Sequence, residues 1–497
     1  MGLYLGIDFG TSTTYVTRWN EEKREVEPVE NLGKYGSGNV FPNVIFYDSA
    51  TEQQIGYQAA DRGSGDQLDY VSAIKRKLEE RSFKRFLPNA GRELSAVEIA
   101  RDSFACLKRK IEKNFGGERV DGVVISVPFA FQHAERGRIK HAAELAGLKV
   151  LRLIEEPVAA ALSFGLVQKA KPGVCEKVIV FDLGGGTFDV AAFKFVKQAE
   201  NRFAIDVLGT DGNKHLGGID IDAHIADKIK EAMEEAHAEY RLDALEAKHL
   251  AQEKARMDKL ARETKEIIAC EGDERVSYTS IVDDSIEYDE TWDEEDLDQM
   301  LEHCGFMDEV RDVLDNLLFE LEMNKEDVDR VIMVGGTTQI PSIQNVAKEY
   351  FGKAPEIVEH PDEMVGTGAG IYCGILLDKR IKFSITLRLS KAVGIKKGGR
   401  FTVLLPRNER YGKQSDVVTI QTARKAHEKK ITIYQGDGAH QTELAVLTVP
   451  QETIERLHGS LGLSLGTDQN GMVGYVLYDI APDGGRRAVA QGMLEVS

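Results

Sequence analysis

Two stretches of the chain carry the same order of apolar and polar positions. LGIDFGTST (Leu5 to Thr13) and VFDLGGGTFD (Val180 to Asp189) each run apolar residues into an aspartate, add one more apolar residue and then glycine, and reach threonine. Apolar β-formers resume at Tyr15 to Trp19 and at Val190 to Phe195, so each copy predicts a strand, a tight glycine turn and a returning strand. Elsewhere VDGVVISVPF (Val120 to Phe129) predicts a buried strand, and Ala134 to Ala146 has helical periodicity stopped by Gly147. LIEEPVAAALSFG places Pro157 at a helix start. From Ile219 to Glu271 neither Gly nor Pro occurs, which predicts long helices, and Asp283 to Asp298 is acidic enough to predict a surface segment. VIMVGGTTQIPSIQNVAKEYFG predicts a strand, a turn and a helix whose start could meet an anion. Such alternation implies α/β lobes. Past Leu377 the periodicity shortens to β-rich runs separated by Gly, Asn and Asp turns, which predicts a separate all-β unit of roughly 110 residues, a sandwich.

The two aspartates, Asp8 and Asp182, stand 174 positions apart, so the repeat suggests two related lobes. Glycines let backbone N–H groups approach an anion, threonine hydroxyls add donors, and an aspartate can hold a hydrated Mg²⁺. One such turn would be an ordinary hairpin; two in the same grammar point to phosphate chemistry.

Composition changes the picture in three ways. The 497 residues fit two to four domains with cores that need no staples. A net charge of −19 argues against general nucleic-acid binding. Cys106, Cys175, Cys270, Cys304 and Cys373 are at least 34 positions apart, without zinc spacing, and fit buried thiols in a reducing compartment. No basic, apolar leader and no run of ~20 apolar residues is present, so a cytoplasmic protein is expected.

Taken together, GIDFGTST, AIKRKL, VPFAFQHAERGRIKHAAELAGLKVLRLIEEPVAAAL, VFDLGGGTFDV, HLGGIDID, DRVIMVGGTTQIP and HPDE resemble the heat-shock protein 70 (DnaK-type) chaperone family. The resemblance covers roughly residues 1–377 and, more weakly, the β-rich region. It implies an actin-like α/β ATPase of two ribonuclease-H-like lobes (1–378), an interdomain linker (379–389) and a C-terminal all-β sandwich (390–497). It further implies MgATP binding and slow hydrolysis that control the grip of the β-domain on unfolded or specific protein segments, with a J-domain co-chaperone and a nucleotide-exchange factor as partners. On this resemblance Lys75, Glu156, Asp182, Asp189 and Thr187 are catalytic. Nucleotide contacts fall to Gly10, Thr11, Ser12, Thr13, Gly184, Gly185, Gly186, Gly217, Gly218, Lys265, Gly335, Gly336, Thr337 and Asp362. Asp8 and Asp182 would hold Mg²⁺, mostly through water. Without the resemblance, Lys75 would read as a helix-surface lysine.

The chain departs from the family pattern at several points. Arg262, Glu266, Ala269 and Gln339 stand where the resemblance leads one to expect Glu, Arg, Ser and Arg, so stacking on the adenine is expected to be reduced. Lys379 to Leu389 is basic where the family linker is acidic and rich in leucine. The chain ends at Ser497, which leaves no residues for a helical lid, and rapid release of bound peptide is expected. Between 379 and 430 lie 15 Lys and Arg against three acids, with Lys429 near the expected apolar pocket and Lys396 and Lys397 near its arch. A second reading therefore makes the protein a nucleotide-dependent scaffold whose basic region docks on an acidic partner or on its own acidic lobe. A filament protein or sugar kinase is disfavoured, because neither has a place for the β-unit.

Overall fold

The computed structural model describes the chain apart from residues 1, 33–38, 64–67, 168–172, 200–201, 238–239, 243–244, 380–381, 423–426, 438–439 and 495–497. Arg380, Arg424 and Lys425 of the basic stretch thus lie outside the described residues.

Among the described residues, two six-stranded mixed sheets repeat one plan. In the first, Leu3–Phe9 pairs antiparallel with Thr13–Asn20 on one side and parallel with Val120–Val127 on the other, with Val150–Glu155 beyond. In the second, Cys175–Leu183 pairs antiparallel with Phe188–Ala199 and parallel with Arg330–Val334, with Glu356–Ile357 beyond. The duplicated sequence grammar is thus a duplicated hairpin, each opening a sheet whose other half is parallel. Strands buried on both faces read as continuous apolar runs, as VVISV and VIVF do. Helices His133–Leu145, Glu156–Val167 and Met364–Leu377 pack on these sheets. The last two cross each other, and the side chains about them form a core shared by both sheets.

The described residues of the β-rich region form two four-stranded antiparallel sheets. One runs Arg400–Leu405, Val393–Lys397, Glu428–Asp437, His440–Pro450, and the other Val418–Ile420, Ser460–Thr467, Val473–Ile480, Arg486–Met493. Ile395, Ile433 and Val449 of the first and Leu461, Leu463 and Leu477 of the second bury into one cluster, which is separate from the cores of the α/β part.

Three expectations gain detail. The Gly- and Pro-free stretch forms two long helices, Gly218–Ala236 and Ala247–Glu271. The acidic segment is exposed but ordered: Glu287–Asp293 pairs with Asp273–Thr279, Trp292 is 1% exposed, and Asp293 caps helix Glu294–His303 by accepting from the Glu295 and Asp296 amides. The stretch expected as a linker supplies Lys382–Thr386, a parallel edge strand on Arg202–Asn213, and Leu389 buries in the β-unit core. Isolated, its apolar and basic residues say nothing of a strand partner some 180 positions away.

Part of the basic character is used within the chain. Arg388 contacts Asp206 at 3.4 Å, and Arg407 contacts Asp211 at 3.8 Å and also Glu320. Lys396 and Lys397 are exposed, with Lys396 4.3 Å from the Tyr434 ring, and Lys429 is half-buried.

Candidate active site

The site lies where the two hairpins meet. A side chain at Gly185 would come within 2.1 Å of Ser12 Oγ and one at Gly186 within 2.4 Å of Thr11 Oγ1, so glycine at both positions is what lets the turns touch. Asn43 fixes the first turn from behind, its backbone N–H donating to the Ser12 carbonyl at 2.7 Å and its side-chain amide to the Gly10 carbonyl. Thr11 is buried, Ser12 is half-buried and Thr13 is exposed. The second turn is closed by the Gly184 amide on the Thr187 carbonyl, 3.1 Å, and it is stacked on the helix that begins at Gly218. There the Gly218 and Ile219 amides donate to the Gly184 and Gly185 carbonyls at 3.0 and 2.8 Å, and Gly217 lies against Gly186.

Four carboxylates and one buried lysine collect beside these turns. Asp182 and Asp189 face each other across the second hairpin, and the Ala130 amide donates to Asp189 at 3.2 Å. Ser126 Oγ donates to Asp8 at 2.6 Å. Glu156, at the first turn of its helix, pairs with Lys75 Nζ. Lys75, a surface residue by its sequence alone, is 2% exposed. Its short helix Ile74–Lys77 starts from Ala73 at φ 51°, a left-handed conformation that turns the lysine inward.

Burial pushes Asp8 up to about 6, with the neighbouring Glu156 and Asp362 adding to the rise and Lys75 opposing it. Burial and the Glu156 carboxylate push Asp189 up to about 7. Asp182 is held well above the usual carboxylate range by burial and by Glu156, Asp189 and Asp8. One oxygen each of Asp182 and Asp189 is buried without a partner. Four acids sharing one cation form an anionic pocket that lacks positive charge.

The structure brings together most of the residues expected here, and it moves some. Thr337 Oγ1 donates to the Gly184 carbonyl at 2.9 Å, so the Gly335 to Thr337 turn joins the site as a 3-10 turn and not as a helix start. Gly335 adopts φ 87° and lies against Leu183. Lys265 is tied down, donating to Asp222 and, at 3.0 Å, to the Gly218 carbonyl. Its neighbours on the same helix, Arg262 and Glu266, line a cavity of about 1150 Å³ that Tyr70 and Arg85 close from the first half of the chain. Among the described residues no three His, Cys, Asp or Glu side chains converge as direct metal ligands.

Two groups escaped the sequence. Arg76 spans the halves, donating to Asp220 through Nη1 at 3.0 Å and through Nη2, and to the Gly186 carbonyl at 3.1 Å. Its place next to Lys75 in AIKRKL was the only available signal. Arg136 and Glu155 form a buried pair at 2.8 Å, which the β-unit completes: Tyr411 donates to the same Glu155 oxygen at 2.9 Å, and the Asn470 carbonyl accepts from Arg136 at 3.3 Å. The β-unit therefore touches the residue bonded directly to Glu156.

A family model described as Hsp70 protein matches residues 4–448. The chaperone protein DnaK of Thermosipho melanesiensis is 32% identical over 451 residues, covering 87% of this chain and 70% of that protein. DnaK of Thermotoga maritima is 30% identical over 446 residues, with the same coverage, and DnaK of Mycoplasmopsis pulmonis is 31% identical over 443, covering 88% of this chain and 69% of that protein.

Proposed function

Because this chain belongs to the Hsp70 family, we propose that the paired hairpins, their four carboxylates and Lys75 are the centre at which it hydrolyses ATP. The protein is an ATP-dependent chaperone and an ATPase, and it binds nucleotide and client protein. In this proposal residues 1–378 make an actin-like pair of ribonuclease-H-like lobes, 390–497 make the client-binding β-sandwich, and 379–389 join them.

The observation that carries the site assignment is a fully buried lysine held against a glutamate inside a cluster of acids. Transfer of a phosphoryl group to water needs charge neutralisation and a positioned nucleophile more than a strong base. Lys75 supplies positive charge toward the transferred group. Glu156 and Asp189, with Thr187 beside them, accept hydrogen bonds from the attacking water and hold it, and Asp189, with its raised affinity for a proton, can take one up. Gly10 to Thr13 and Gly184 to Gly186 offer backbone and hydroxyl donors to the phosphates. Gly217, Gly218, Lys265, Gly335, Gly336, Thr337 and Asp362 complete the nucleotide's surroundings.

The residues also fit Mg²⁺, since the unpartnered oxygen of Asp182 and the raised carboxylates call for added positive charge. Asp8 and Asp182 would hold the cation through its waters, and its chemistry there is to neutralise phosphate charge.

Two substitutions test the nucleotide's surroundings. A methyl group added at Gly336 meets no atom within 4 Å, so Gly336→Ala leaves thermal stability within about 0.5 kcal/mol. If nucleotide fills that space, ATP affinity falls by about tenfold, roughly 1.4 kcal/mol, in a fluorescent-nucleotide titration. Unchanged affinity would remove the Gly335 to Thr337 turn from the site. Arg76→Ala deletes a two-pronged charged bridge between the halves, and ADP dissociation in stopped flow is expected to speed up by about tenfold while single-turnover hydrolysis changes less than threefold. An unaltered off-rate would show that Arg76 does not hold the cleft closed.

A further inference from the structure

The β-unit and the α/β part have separate hydrophobic cores, and hydrogen bonds at His133, Arg136, Leu153 and Glu155 join them, an interface suited to opening. One of those contacts needs an uncharged histidine. His133, first residue of helix His133–Leu145, is 2% exposed, and both its ring nitrogens are engaged by the β-unit. The Val473 backbone N–H donates to Nδ1 at 2.9 Å. Nδ1 must therefore be an unprotonated acceptor, and Nε2 carries the ring proton, which it donates to the Leu494 carbonyl at 3.0 Å. A proton added at Nδ1 would set two N–H donors against each other and bury an uncompensated cation.

We propose that His133 is a proton-sensitive latch, which holds the β-unit on the α/β part while the imidazole is neutral and releases it when the ring is protonated. The charged groups around it do not cancel this effect. Glu135 on the same helix is engaged by Lys214 at 3.2 Å, Arg136 is paired with Glu155, which also accepts from Tyr411, and Asp468 faces the ring from the β-unit. Burial pushes the docked imidazole below its ordinary pKa, and the Leu494 carbonyl with the Asp468 and Glu135 carboxylates offsets only part of that.

The undocked imidazole titrates near ~6.5 and the docked one lower, so docking is at full strength above ~6.5 and weakens as pH falls through it. The loss approaches tenfold per pH unit until the docked ring itself protonates.

Amide hydrogen exchange on the full chain at pH 7.5 and 5.5, corrected for intrinsic rates, tests it. Protection of the Val473 amide is expected to fall by about tenfold at the lower pH, while Leu463, central in the same sheet, holds. In His133→Gln, whose amide offers an acceptor and a donor but does not titrate, the step disappears. In Asn470→Ala, which loosens the same interface by removing the side chain that accepts from the Leu153 amide, the step persists. Equal Val473 protection at both pH values in the unmodified chain, or an undiminished step in His133→Gln, would overturn the proposal.

Discussion

Lys75→Met is expected to lower single-turnover ATP hydrolysis by about 10²–10³-fold, the usual cost of deleting one preorganised charge-stabilising group, while nucleotide affinity changes by less than about fivefold. The asymmetry comes from where the charge sits. Lys75 is the cation that opposes the raised pKa of Asp8, Asp182 and Asp189, and it pairs with Glu156. Methionine keeps the length of the stem, so the 2% exposed position stays filled and the loss is one of charge. Without that charge the neighbouring carboxylates climb further, and the rising limb of the pH–rate profile moves to higher pH. Quench-flow measurements from pH 6 to 9 would show both effects. A drop of less than about fivefold, with the pH limb in place, would exclude Lys75 from the chemistry.

Gly368→Val is expected to damage folding severely. Helix Met364–Leu377 crosses helix Glu156–Val167 so closely that even a Cβ at Gly368 would stand 1.8 Å from the Ala159 carbonyl oxygen. Beside it, a Cβ at Gly370 would meet Thr17 Oγ1 at 2.4 Å, and one at Gly6 would meet the Gly370 amide nitrogen at 2.1 Å. The obstacle at Gly368 is backbone, which cannot rotate away, so the helices must separate and the core shared by both sheets must open. The expected loss is at least about 3 kcal/mol, seen as a lowered first thermal transition or as insoluble protein. Glu156 begins one of the two helices, so any folded fraction should also hydrolyse ATP more slowly. Gly336→Ala, in open space, is the matched control. A Gly368→Val protein as stable as that control would mean that the helices do not cross this tightly in solution.

Much of the site was legible because its information is local. Asp8 and Asp182 end buried strands, and the glycines after them permit turns that most other residues cannot make. These facts act within about ten positions, and they repeat. The helix from Glu156 and the strand from Val120 were readable for the same reason, from apolar period and a proline. Lys75 was legible only through resemblance, since its neighbours are the charged residues of an exposed helix. The role of Arg76 was not legible from its neighbours, because its partners Gly186 and Asp220 lie 110 and 144 positions away. Lys265 shows the converse: its position was anticipated, but its ties to Asp222 and Gly218 were not.

By itself, then, the sequence determined two duplicated turns, the α/β alternation and a distinct β-unit, all consequences of backbone preference and apolar period over short spans. Tertiary structure alone decided that Lys75 is buried among four acids and that Lys382–Thr386 is a sheet strand. It also decided that Tyr411 and Asn470 of the β-unit close on Glu155 and Arg136, and that His133 must stay neutral. Burial, pKa and strand pairing depend on which distant groups arrive at the same place, and only the folded chain sets that.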